Sequence, residues 1–228
     1  MNYAVPPHAM PGIPVSGSDL HFPVHRIYCI GRNYADHARE MGAEVDRSNP
    51  IFFAKPADAI VVDNGDVPYP QATADLHHEI EMVVALQGGG CDIPVERALE
   101  CVYAYGVGLD LTRRDLQASA KKKGNPWDTG KGFDHSAPIS ALHRVSEIGH
   151  PARARIELAV NREIRQQADL SDMIFSVAEI IHELSKFYEL KSGDLIFTGT
   201  PAGVAALARG DRFVASLEGV AKLEGRIV

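Results

Sequence analysis

Between Pro50 and Pro70 the chain meets Pro56, Asn64-Gly65 and Pro68 as well, so a helix-breaking or turn-forming residue recurs every few positions. No helix of ordinary length fits there, and only short strands such as IFFAK and AIVV are possible. The same punctuation continues downstream. EIEMVVAL ends at Gly88-Gly89-Gly90, YGVGLD follows a helical PVERALEC, and RARIELAV alternates up to a hairpin turn at Asn161-Arg162. Strands this short, without regular βαβ alternation, point to an α+β, mainly β fold with few helices and argue against a doubly wound nucleotide fold.

Helical period appears in two places. NYADHAREMG favours a short helix closed by Gly42. Ser176 and Glu179 form a capping box, ahead of Val177, Ile180, Ile181, Leu184 and Phe187 on one face, with Gly193-Asp194 as the stop. The segment from Lys121 to His135 reads as a loop. Residues 1–25 carry five prolines in their first two dozen positions and read as an extended N-terminal arm; residues 26–228 read as one main domain.

Composition excludes several partner classes. The formal charge is −7 and the pI about 5.8, so no basic field gathers nucleic acid, and no apolar run is long enough to span a membrane. A small anionic substrate remains compatible if cations converge locally. Cys29, Cys91 and Cys101 lack C-x-x-C spacing, which fits a reducing cytoplasm.

Side chains two apart on a strand share a face, so Glu79 and Glu81 in HHEIEMVVAL stand side by side. Two close carboxylates must be solvated, share a proton or hold a cation. Spacing alone favours the solvated face. Asp110, at the end of the apolar YGVGLD, adds a third carboxylate needing a partner, and three oxygen donors suit Mg²⁺, with Mn²⁺ or Ca²⁺ as alternatives. His77 and His78 raise zinc, but H-x-x-x-H and H-E-x-x-H spacings are missing. Arg113, Arg114, Gln117, Lys131 and the TGTPAG loop offer donors for an anion. His37 and Glu40 lie three apart on the expected helix, where a carboxylate can orient an imidazole. On position alone His37 also reads as a surface histidine, and Lys131, between two glycines, as a solvated turn.

GRNYADHAREMG, FFAKPADAIV, HHEIEMVV, GLDLTRRDLQ, KGFDHSAP, DLSDMIFSVAEIIHELS and GDLIFTGTPAGV, in this order, resemble the fumarylacetoacetate hydrolase family from about Arg26 onward. Within it the motifs most resemble short bacterial fumarylpyruvate hydrolases of gentisate-type aromatic breakdown. The resemblance implies a mixed β-sandwich or roll, a cytoplasmic homodimer, and Mg²⁺ or Mn²⁺ on Glu79, Glu81 and Asp110. It implies His37 with Glu40 as the general base on a lid spanning residues 35–47, and Lys131, Arg114 and Gln117 as contacts to substrate or oxyanion. Thr200, and less directly Arg32, would meet the substrate carboxylate. The implied reaction is hydrolysis of a carbon–carbon bond in a 1,3-diketo acid, fumarylpyruvate giving fumarate and pyruvate. Other acylpyruvate hydrolysis, oxaloacetate decarboxylation, and diketo-acid decarboxylation or isomerisation occur on the same scaffold. Asn161-Arg162 and Leu190-Lys191-Ser192-Gly193-Asp194 depart from the family pattern, both at turns.

Overall fold

The computed structural model describes residues 2–40, 42, 46–48 and 50–228, so part of the expected 35–47 lid lies outside the described residues. A six-stranded mixed sheet runs in the order His143–Arg144, Val102–Leu109, Ile80–Leu86, Asp194–Phe197, Arg26–Gly31, Ile51–Lys55. Only the Asp194–Phe197/Arg26–Gly31 pair is parallel. A second, antiparallel sheet orders Glu163–Asp169, Arg155–Val160, Arg212–Leu217 and Ala221–Arg226.

The central strand Ile80–Leu86 is apolar at every position except Glu81, and its surroundings explain why. Every residue of Ile80–Leu86 is buried. Ile80, Met82, Val84 and Leu86 join one core with Leu158, Phe213 and Leu217 of the second sheet, and with Ile180, Ile181 and Leu184 of the helix Val177–Ser185. Val83 and Ala85 face the other way, into a second core with Ile27, Cys29, Leu195 and Phe197. With both faces covered, alternation disappears from the sequence. Each fully buried aliphatic or aromatic side chain contributes roughly 1.5–3 kcal/mol relative to exposure.

Part of the Pro-rich segment closes that second core. Gly12–Pro14 pairs with His21–Pro23, and Ile13, Val15, Phe22 and Val24 are buried against the sheet. The segment expected to extend as an arm is therefore packed from about Gly12 onward, because Ile13, Val15, Phe22 and Val24 turn inward at alternate positions along and just past the two strands.

The short helix Ala35–Glu40 and the Ser176–Glu179 capping box form as expected, and Asn161 and Arg162 both adopt positive φ, 51° and 72°, as a two-residue hairpin turn requires. Two expectations are corrected. The Lys121–His135 stretch is not one loop: the helix Arg114–Lys123 ends at left-handed Gly124, and a one-turn helix follows at Asp128–Lys131. The capped helix stops at Ser185 rather than near Gly193, which leaves Phe187 68 % exposed instead of on the apolar face. Among the described residues, no helix is long and apolar enough to cross a membrane.

Candidate active site and metal centre

Antiparallel pairing of Ile80 with Leu109 and Glu81 with Gly108 brings Glu79 beside Asp110, where the Asp110 N–H donates to the Glu79 carbonyl at 2.8 Å. Glu79 and Glu81 share a face by strand parity. As a result the three carboxylates Glu79, Glu81 and Asp110 are buried with one ligand oxygen from each within 4.8 Å of the others. The solvated-face alternative is thereby excluded.

Three cations surround this cluster. Lys131 Nζ donates to Glu79 Oε2 at 2.7 Å, Asp110 Oδ2 at 2.6 Å and Thr112 Oγ1 at 2.7 Å. Arg114 donates one guanidinium nitrogen to Glu79 Oε1 and another to Gln117 Oε1 at 2.7 Å. Lys55, whose side chain is fully buried, stands 2.8 Å from Asp110 Oδ1 but directs its hydrogen bonds to the carbonyls of Leu111 and Lys131. Asp110 Oδ1 is thus ion-paired with Lys55 and has no further hydrogen-bond partner among the described residues. Lys131 is 2 % exposed, which rules out a solvated turn; Gly130 makes this possible, since a Cβ there would lie 3.0 Å from the Gln117 backbone nitrogen.

The electrostatics are divided unevenly. Burial alone would raise Glu79, yet Lys131, Arg114 and His37 outweigh it and hold the carboxyl well below the usual range. Lys131 is pushed down by burial but raised overall by Asp110 and Glu79. Glu81 has no cation bonded to it among the described residues; its Oε2 accepts the Gly199 N–H at 2.6 Å. Burial, then Asp110 and Glu79, push its carboxyl well above the ordinary value. Three buried carboxylates converging within reach of one ion, one of them raised by the other two and bonded to no cation among the described residues, are a donor set that a hard divalent cation would relieve, so these residues fit Mg²⁺ or Mn²⁺.

The rest of the expected constellation lines one cleft with the cluster. Arg32, His37, Arg114, Gln117, Lys131 and Thr200 border it together with Glu79 and Glu81. His37 is 5 % exposed, not a surface residue. Its Nδ1 lies 3.2 Å from Glu40 Oε2, and Glu40 Oε1 accepts the Gly203 N–H at 3.1 Å, tying the short helix to the TGTPAG loop. Arg32 takes a positive φ of 61°, and neighbouring Asn33 anchors the turn through Phe175 and Thr198. Gly199 is required where it stands: at φ 92°, a Cβ would lie 2.6 Å from Asn33 Cβ. Thr200 Oγ1 accepts from Gln166 Nε2 at 2.8 Å.

His77 and His78 stand outside the carboxylate cluster. His77 bonds Asp75 at 2.9 Å and receives Arg114 Nε at 3.4 Å, while His78 Nδ1 lies 2.9 Å from Gln166 Oε1. Sequence reasoning missed Lys55, Gln166 and Lys121. A lysine in the apolar IFFAK run was the available signal for the first; the other two sit in stretches without a pattern that marks a site.

Residues 26–228 match the family described as Fumarylacetoacetate (FAA) hydrolase C-terminal. The fold superposes on a fumarylpyruvate hydrolase from Pseudomonas aeruginosa, solved in complex with Mn²⁺ and pyruvate, with TM-score 0.97 and 50 % identity; the match covers 100 % of this chain and 99 % of that one. Mitochondrial oxaloacetate tautomerase FAHD1 of Rattus norvegicus is 42 % identical over 201 residues, covering 88 % of this chain and 90 % of the relative. Oxaloacetate tautomerase YcgM of Escherichia coli K12 is 38 % identical over 204 residues, 89 % of this chain and 93 % of the relative.

Proposed function

The chain belongs to the fumarylacetoacetate hydrolase family of enzymes, and from that premise we propose that it hydrolyses the carbon–carbon bond of a 2,4-diketo acid, with fumarylpyruvate as substrate. The observation that carries the reading is buried His37, bonded at Nδ1 to the more exposed Glu40, on the same cleft as the three-carboxylate cluster. Support for the substrate comes from the 50 % identical fumarylpyruvate hydrolase and its pyruvate complex.

Glu79, Glu81 and Asp110 would hold the divalent ion, which when bound supplies Lewis-acid stabilisation of negative charge on the 2-oxo acid end. His37, oriented at Nδ1 by Glu40, takes a proton from water at its other ring nitrogen as the water oxygen bonds to C4. Lys131, Arg114 and Gln117 donate toward the oxyanion that forms there, each such donor worth on the order of 3 kcal/mol. The C3–C4 bond then breaks, C4 leaves as the carboxyl of fumarate, and C3 gains a proton to give pyruvate. Thr200, fixed by Gln166, and Arg32 hold the substrate carboxylate. We place the reaction in a homodimer; Phe187 and Tyr188, 68 % and 43 % exposed, offer an aromatic surface for the second copy.

A second reading is favoured by the tautomerase relatives: keto–enol conversion of oxaloacetate, which needs the same ion and a proton-transferring group but no attacking water. Assays of fumarylpyruvate, acetylpyruvate, maleylpyruvate and oxaloacetate with and without Mg²⁺ or Mn²⁺ separate the two. Metal-dependent loss of fumarylpyruvate absorbance supports hydrolysis. Oxaloacetate enolisation with fumarylpyruvate untouched would replace it.

A further inference from the structure

The cations bordering the cleft fall into two groups. Lys131 and Arg114 are bonded to cluster carboxylates. Arg32 and Lys121 border the same cleft, yet neither is bonded to a carboxylate among the described residues. Lys121 is also distinct within its own helix turn, being half-buried where Lys122 and Lys123 are exposed.

An aromatic wall connects the two groups. Lys131 Nζ lies 4.9 Å from the Phe53 ring centroid, the Phe53 and Trp127 centroids are 6.0 Å apart, and Lys121 Nζ lies 4.9 Å from the Trp127 centroid. The path from the carboxylate cluster to Lys121 is therefore flanked by two rings suited to a flat, unsaturated chain. At its far end stands an ammonium without a bonded carboxylate among the described residues.

We infer that Lys121, seated on Trp127, is the subsite for a second, distal carboxylate, making the enzyme select dicarboxylic over monocarboxylic 2-oxo acids of equal length. The inference rests on the proposed reading that the near, 2-oxo acid end of the substrate sits at the carboxylate cluster. Burial first, then Arg114 and Arg32, push the Lys121 ammonium down to about 8. A bound carboxylate would relieve that crowding, since a charge-assisted hydrogen bond to a desolvated ammonium is worth a tenfold or larger change in affinity, roughly. The competing role, a helix-end lysine that only packs its stem on Trp127, requires no charge.

The test is calorimetric binding to the Mn²⁺-loaded protein of two uncleavable probes, 2-oxoheptanedioate and 2-oxoheptanoate, which differ only at the distal end. The wild type is expected to prefer the dioate by about tenfold or more. Lys121→Met, which keeps a stem on Trp127, is expected to abolish the preference while leaving 2-oxoheptanoate within about twofold of wild type. Lys121→Arg should retain it, and Lys122→Met should change nothing. An unchanged preference in Lys121→Met, equal loss of both probes, or no preference in the wild type would overturn the subsite. Because neither probe is cleaved, a dioate preference in a protein that leaves fumarylpyruvate intact would retain the subsite and reject the hydrolase reading.

Discussion

His37 Nδ1 stands 3.2 Å from Glu40 Oε2, and the same carboxylate reaches the Gly203 N–H, so one side chain both orients the imidazole and fastens its helix over the cleft. His37→Ala is expected to lower kcat for fumarylpyruvate by about a hundredfold or more, the usual scale of a lost general base. Mn²⁺ affinity, measured by calorimetry, should stay within about twofold, because His37 is not among the three carboxylates. Equal loss of both would mean that His37 serves the metal centre instead.

Lys131→Met should destabilise the metal-free protein. It strips the ammonium from Glu79 and Asp110 while both stay buried, a change of about 3–5 kcal/mol for a broken buried pair. Added Mn²⁺ should recover part of the lost Tm. A variant as stable as wild type without metal would contradict the account of the cluster.

Metal stabilisation should grow with pH. The folded pKa of Glu81 is raised above its unfolded value, so in the metal-free protein the stability that the protonated carboxyl contributes is full below the ordinary glutamate pKa and is lost as pH rises through the raised one. A bound cation removes the need for that proton. The Tm increase on adding Mg²⁺ or Mn²⁺ should therefore be small near pH 5 and larger near pH 8; a pH-independent increase would show that Glu81 does not exchange a proton for the ion.

Gln166→Leu should cost about 3 kcal/mol, a Tm loss on the order of 10 °C. The side chain is 1 % exposed and bonds Thr200 Oγ1, the Pro201 carbonyl, the Ile80 N–H and His78. Its removal leaves buried polar groups unsatisfied and frees Thr200, so KM should rise as well. Thermal unfolding and steady-state kinetics on one preparation check both.

How much could be read in the sequence follows from the range of each interaction. Glu79, Glu81 and the capping box at Ser176–Glu179 are set by parity or by a three-residue spacing, and both are visible locally. The roles of Lys55 and Gln166 depend on strand pairings and on partners 55 or more residues away, as Lys55 to Asp110 and Gln166 to His78 show; the apolar run around Lys55 marks it as unusual without naming its partner, and nothing local marks Gln166. Lys131 looked like a turn residue because its flanking glycines suggested exposure. Gly130 instead permits the close approach to Gln117 that helps bury it. Phe187 carried the right helical phase, but the helix ended one turn too early for phase to matter.

The central claim is that water adds to C4 and the C3–C4 bond breaks. Its most direct measurement is mass spectrometry of products formed from fumarylpyruvate in H₂¹⁸O with Mn²⁺-loaded enzyme. The account predicts fumarate and pyruvate in equal amounts, with ¹⁸O in one carboxyl of fumarate, and both formed about a hundredfold or more slowly by His37→Ala. Recovery of intact fumarylpyruvate, alongside rapid enolisation of oxaloacetate by the same preparation, would contradict it.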